Sequence, residues 1–196
     1  IAGNRGGQGA GIVMSAGLVA DCIITNNISE SYFQRGGGLR ISGGTVERCL
    51  IAYNRGGEGA GVRLYGGTVR NCLIVGNRAD ISPNTGGGVY QSDGTLQNCT
   101  VVGNHATLEG GGVYLSGSSA RIRNSIIADN SATTSDNLHR LAGWLEYSCV
   151  FPEVPDDAKA SHNTSLPPQF IDREAGDYRL LPGSPGIDSG SATGAP

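Results

Sequence analysis

The 196-residue sequence predicts an all-β fold, a right-handed parallel β-helix (solenoid) of about six rungs of 23–27 residues, with an irregular C-terminal segment packing on it. Three observations predict it. The octet "NRGGQGAG" at 4–11 returns as "NRGGEGAG" at 54–61 with one change. Cys22, Cys49, Cys72 and Cys99 are each followed five residues later by Asn27, Asn54, Asn77 and Asn104, and Ser125 with Asn130 continues the series. A glycine triplet ("GAG" or "GGG") begins thirteen residues before each of those four cysteines, and a fifth begins at Gly110. All variation in length falls between an Asn and the next triplet, as four, eight, four, eight and five residues, so short and long loops alternate and the larger unit is two rungs. Rungs occupy 1–130, and residues 131–196 hold the last rung, loops and a covering or capping segment of the same domain.

Each rung reads as three short strands. The first follows the triplet, as in "GLRIS" and "GVRLY", and turns Ile12, Leu39, Val62, Val89 and Val113 inward by simple alternation. The second turns Val19, Val46, Val69, Leu96 and Ile122 inward and ends in a turn just before the Cys. The third turns Ile24, Ile51, Ile74, Val101 and Ile127 inward. Strands stacked at ~4.8 Å place equivalent residues in columns, and six rungs make a stack roughly 25–30 Å long.

The Asn column is structural, because an amide both donates and accepts along the axis and satisfies bends that sheet ladders leave unpaired. The triplets supply positive φ or a close backbone approach. They do not read as phosphate loops, since no helix follows them and no Lys-Ser/Thr closes them. The Cys column reads as a stack of buried thiols, with no Cys-x-x-Cys spacing for zinc, and a disulfide between neighbours in the column stays open. Cys149 falls off the column: aligning "LEYSCV" with "IRNSII" matches Ser148 to Ser125 and Cys149 to Ile126.

Glycine fills 33 positions, more than twice its usual ~7% share, and aromatics only 6%, which favours frequent turns and aliphatic packing over helices. The formal charge of −3 is unclustered, so no nucleic-acid or anionic-membrane surface is indicated. No apolar run approaches the ~18 residues of a membrane-spanning helix. The chain opens at Ile1 in mid-pattern and reads as a mature or trimmed fragment.

The segment "GGGVYLSGSSARIRNSIIADNSA" at 110–132 resembles repeats of right-handed parallel β-helix proteins of the pectin-lyase-like superfamily, including polymorphic outer-membrane proteins. The tail "FIDREAGDYRLLPGSPGIDSG" at 170–190 is similar to the closing segment of bacterial choice-of-anchor surface β-helices. The resemblance implies a secreted or cell-surface β-helix, but it does not single out an activity, because lyases, glycosidases, adhesins and structural proteins share the scaffold. The acidic calcium cluster of pectate lyases and the paired Asp with Gly-His-Gly of polygalacturonases are not legible, and no cofactor or metal is expected.

Two surfaces are candidates for contact. The outward position after each triplet reads Val13, Arg40, Arg63, Tyr90 and Tyr114, a strip whose Arg40, Arg63, Tyr90 and Tyr114 suit sugar rings and their acidic substituents; ordinary outward β-formers are the simpler alternative. The third strand is apolar outward as well, at Ile23, Leu50, Leu73, Thr100 and Ile126, and needs a cover. Residues 131–196, with Trp144, Phe170, Tyr178 and Leu180, are the expected cover. Glu58, Asp80 and Glu109 sit on successive variable loops and are candidate converging carboxylates; Asp156 and Asp157 are a weaker pair, and His105, His139 and His162 are scattered. The expected function is a structural, adhesive or assembly module that contacts polysaccharide or itself, end to end or laterally, and the alternative is a polysaccharide lyase or glycoside hydrolase.

Overall fold

The computed structural model describes residues 1–30, 36–155, 162–187 and 189–191. The described chain winds as a parallel solenoid with four stacked sheets and no helix. On the first face six strands stack in the order Ile12–Met14, Leu39–Ile41, Val62–Leu64, Val89–Gln91, Val113–Leu115 and Leu138–Arg140. The second face runs from Leu18–Ala20 to Trp144–Glu146 and the third from Ile23–Thr25 to Cys149–Val150, again with six strands each. A narrow fourth ladder of five two-residue strands, from Arg5–Gly6 to His105–Ala106, lies between the third face and the next coil's first face.

Pairing is in register throughout the stack, Val62 lying between Leu39 and Val89 and Ile74 between Ile51 and Val101. One core results, with Leu39, Val62, Val69, Ile74, Val101 and Ile127 fully buried.

Two left-handed residues bend each coil around the third face. One precedes the Cys position, as Asp21, Arg48, Asn71, Asn98, Asn124 and Tyr147, and one precedes the Asn position, as Asn26, Tyr53, Gly76, Gly103 and Asp129. The Asn side chains form a continuous ladder inside the second bend. Each Nδ2 donates to the Oδ1 of the next, through Asn4, Asn27, Asn54, Asn77, Asn104 and Asn130, at 2.8–2.9 Å. The same Oδ1 also accepts the backbone N–H of the preceding Asn, so one side chain satisfies two donors at a bend where the sheets supply no partner. The last place is taken by Asn137, which accepts from Asn130 at 3.0 Å and donates to Phe151 O. Counting thirteen residues back from Ser148 puts 135–137 where the triplet belongs, the signal that would have located it.

The triplets divide the two roles expected of glycine. Their first residue has positive φ at Gly9, Gly59, Gly86 and Gly110, while the third makes room for the ladder: a Cβ at Gly88 would stand 2.7 Å from Gly112 O and 3.0 Å from Asn104 Nδ2.

All five cysteines are free thiols. Those of the column donate to the carbonyl two residues earlier at 3.1–3.2 Å. Ser125 and Ser148 do the same with hydroxyls, which is why serine continues the series. For Cys72, the bond with Cys49 lowers the thiol pKa, while the contact with Cys99 and burial raise it, to a net value of about 12. Cys149 pairs with Ile126 in the third-face sheet, and burial pushes its thiol up to about 11.

The tail covers the third face. Phe170, Tyr178 and Leu180 pack with Phe151 against the outward Ala52, Val75, Val102 and Ala128. Phe170–Asp172 and Asp177–Leu180 pair as an antiparallel hairpin, with the Phe170 and Tyr178 rings edge to face at 5.3 Å. Trp144 is not part of that cover. It stands on the second face, half-exposed, with the Arg121 guanidinium 5.3 Å from its ring.

Candidate functional site

The outward strip of the first face is a single column, because Val13, Arg40, Arg63, Tyr90 and Tyr114 are register partners in turn. His139 extends it by one coil. The Tyr90 and Tyr114 rings stack with centroids 4.9 Å apart, and Tyr114 and His139 stack at 4.8 Å. That distance is the spacing of the strands themselves, so the stack follows directly from putting rings in register on adjacent strands. Its consequence differs from the one expected of aromatic faces: within the column the rings cover one another's faces, and both tyrosines are only partly exposed.

The two arginines divide. Arg63 is 4% exposed, its guanidinium lying 3.7 Å from the Tyr90 ring centre and 4.4 Å from that of Tyr65. Its Nη1 stands 2.5 Å from Glu58 Oε2, an ion pair whose angles miss those of a hydrogen bond. Arg63 is therefore a buried platform for the strip. Arg40 is only partly buried, 4.9 Å from the Tyr65 ring, and it is the more accessible guanidinium of the strip.

One side of the strip is walled by the variable loops. Glu58, Thr85, Glu109 and Thr134 form a ladder of parallel bridges, one per coil. Glu109 lies 3.8 Å from His139 Nε2. The Tyr114 hydroxyl has its pKa raised above the ordinary phenol value, first by burial and then by the charges of Tyr90, Glu109 and Glu58, so it stays a hydrogen-bond donor. Two of the three candidate carboxylates thus lie along the same wall of the strip, one coil to either side of Thr85. Asp80 does not join them: it sits beyond the fourth ladder, bound by Arg55 at 2.6 Å and Arg78 at 2.7 Å, and the balance of burial against those two bonds leaves it below the usual carboxylate range. Asp156 and Asp157 lie outside the described residues. His105 bonds Ser131, and His162 stacks on Tyr147 at the far end of the solenoid. Among the described residues no group of three or more His, Cys, Asp or Glu is placed to hold a metal ion, and no helix is long and apolar enough to cross a membrane.

His139 was legible but missed. The thirteen-residue ruler from Ser148 places "SDN" where a triplet belongs and His139 two residues beyond, in the outward column.

A family model described as "Right handed beta helix region" matches residues 1–140. No curated protein and no solved structure matches the chain.

Proposed function

We propose that this chain, which belongs to the family of right-handed β-helix regions, is a binding module of the cell exterior or surface that lays an extended polysaccharide along the first-face strip. The observation that carries this reading is the coincidence of two axial rows. Tyr90, Tyr114 and His139 offer polar edges on three successive coils, with Arg40 two coils before Tyr90 on the far side of buried Arg63, and Glu58, Thr85, Glu109 and Thr134 offer oxygens on the coils of Arg63, Tyr90, Tyr114 and His139. A polyhydroxylated chain with repeating units takes many weak hydrogen bonds of this kind, and a rigid solenoid holds them at fixed spacing without ordering cost.

The test is a glycan array with the purified chain, followed by titration of the best-bound polysaccharide. Because the ring faces are used internally, phenylalanine is the informative replacement. Tyr90→Phe combined with Tyr114→Phe keeps the stack and removes two hydroxyls, each hydrogen bond being worth about 0.5–1.5 kcal/mol. Affinity is expected to fall about tenfold, equivalent to about 1.4 kcal/mol, with the melting temperature unchanged. An array with no bound glycan, or a double variant that binds as tightly as the parent, discards the reading.

One observation favours a second reading, cleavage of the polysaccharide. Glu58 and Glu109 are two coils apart, about 10 Å at ~4.8 Å per strand, close to the upper end of the about 6.5–9.5 Å that separates the carboxyls of inverting glycosidases. The ion pair of Glu58 with buried Arg63 weighs against it, since that carboxylate already has a partner. Under the binding reading, prolonged incubation releases no new sugar ends. Release that Glu109→Gln abolishes would make the strip an active site.

A further inference from the structure

The left-handed column that precedes the third face carries a second kind of recognition element. Asn71, Asn98 and Asn124 occupy it on successive coils with nearly the same backbone, φ being 52°, 51° and 46°. Asn124 is in use. Its Nδ2 donates to Ser191 O at 2.9 Å and its Oδ1 accepts from Ser191 N at 3.0 Å, so one amide takes both backbone groups of one tail residue. A Cβ on Gly190 would stand 3.4 Å from the Asn124 amide carbon and oxygen, an ordinary van der Waals contact, so a small side chain is accommodated beside the amide.

Asn98 and Asn71 repeat this element one and two coils away. Among the described residues neither side-chain amide has a hydrogen-bond partner, and both line a groove of about 410 Å³ whose other wall is the hairpin tip at Gly176–Arg179. Leu73 and Thr100 also line it. Arg179 and Asp177 on that wall pair with each other at 2.6 Å, so the groove presents little free charge and the two amides are available to an occupant.

We propose that this groove binds an extended segment of small residues, glycine and serine foremost, from another polypeptide, with Asn98 and Asn71 pairing its backbone as Asn124 pairs Ser191. The groove continues an interface the molecule already makes with its own tail, which sets the chemistry of the occupant. The spacing is compatible: every second residue of an extended chain advances about 6.6 Å, and a chain inclined by about 45° to the axis meets amides ~4.8 Å apart. Affinity comes from backbone pairing, as in other strand-adding interactions, and the preference for small residues follows the Ser-Gly-Ser sequence at 189–191 that Asn124 already pairs.

A fluorescein-labelled peptide Gly-Ile-Asp-Ser-Gly-Ser, the sequence of 186–191, is titrated against the whole chain and followed by anisotropy. Saturable binding is expected, weakened at least tenfold by Asn71→Gly combined with Asn98→Gly. Glycine accepts the positive φ at both positions, so these replacements remove the amides and leave the turns, and an unchanged melt confirms it. Three results overturn the proposal. The first is no saturation, and the second is equal binding by the double variant. The third is binding lost only in Asn124→Gly, which means that the peptide merely displaces the tail. Concentration-dependent dimerisation abolished by the double variant would instead give the groove to a second copy's tail and overturn its assignment to a separate partner. None of these replacements touches the first-face strip, so the two proposals fail independently.

Discussion

Asn77→Ala is expected to lower the free energy of unfolding by about 4 kcal/mol, on the basis that each buried polar group left unpaired costs about 1–3 kcal/mol. Asn77 is fully buried in the middle of the ladder. Its Oδ1 accepts both the backbone N–H and the Nδ2 of Asn54 at 2.9 Å, and its Nδ2 donates to Asn104 Oδ1 and Ile51 O at 2.9 Å. Alanine removes the partner of two donors on one side and of three acceptors on the other, since Nδ2 also donates to Val75 O at 3.2 Å, while Asn104 Oδ1 keeps the Asn77 backbone N–H. Its central place adds a second effect. A solenoid holds together through contacts between neighbouring coils, so a weak junction in the middle lets the halves unfold separately. Urea unfolding followed by circular dichroism is expected to show both a lower midpoint and a smaller slope. Asn4→Ala supplies the contrast, since Asn4 is exposed and donates only to Asn27, and its cost is expected to stay within about 1 kcal/mol. A loss below 1 kcal/mol at Asn77 would mean that water enters the bend and takes over the pairing.

Inward residues were legible in the sequence because parity decides them: in a strand one residue faces the core and the next does not, and in-register stacking turns a single correct phase into whole columns. Val62 and Ile74 needed nothing more. Parity decides only the face of the sheet, however, and says nothing of what lies over that face. Arg63 points outward by parity and is nevertheless buried, because Glu58 reaches it from a loop, Tyr65 from two residues on and Tyr90 from the next coil. Trp144 fails as a cover for the same reason: composition marks it as a large apolar residue, while its position on the second face depends on a coil whose triplet is written "SDN". The loop acids show the limit most clearly. Glu58, Asp80 and Glu109 look equivalent as sequence, yet Glu58 and Glu109 precede triplets and bridge along the first-face wall, whereas Asp80 follows an Asn and belongs to the fourth ladder. Distance to the nearest repeat landmark separates them; residue type does not.

Gly61→Ala is expected to cost about 3 kcal/mol, the scale of overpacking a close-packed interior. Gly61 does not have positive φ, so alanine meets no backbone penalty and the effect is steric alone. Its Cβ would stand 2.6 Å from Gly88 O and 2.9 Å from Asn77 Nδ2, so either the coils separate or the ladder moves. Gly7→Ala is the control: its Cβ meets nothing within 4 Å, and a change within about 0.5 kcal/mol is expected there. The last coil shows why the constraint holds. The third triplet position runs Gly11, Gly38, Gly61, Gly88 and Gly112 and ends in Asn137, where a side chain is present and itself supplies the final acceptor of the ladder. Glycine is thus required wherever another coil's ladder Asn must pass, and its counterpart is that Asn. The dependence is measurable by combining Gly61→Ala with Asn77→Ala. Removing the Asn77 amide relieves one of the two clashes while the contact with Gly88 O remains, so thermal melts of the double variant are expected to show a loss smaller than the sum of the single losses by about 1 kcal/mol, within the range for residues in contact. Strict additivity would mean that the glycine column and the asparagine ladder stabilise the solenoid independently, and that the spacing they share in the sequence has no steric cause.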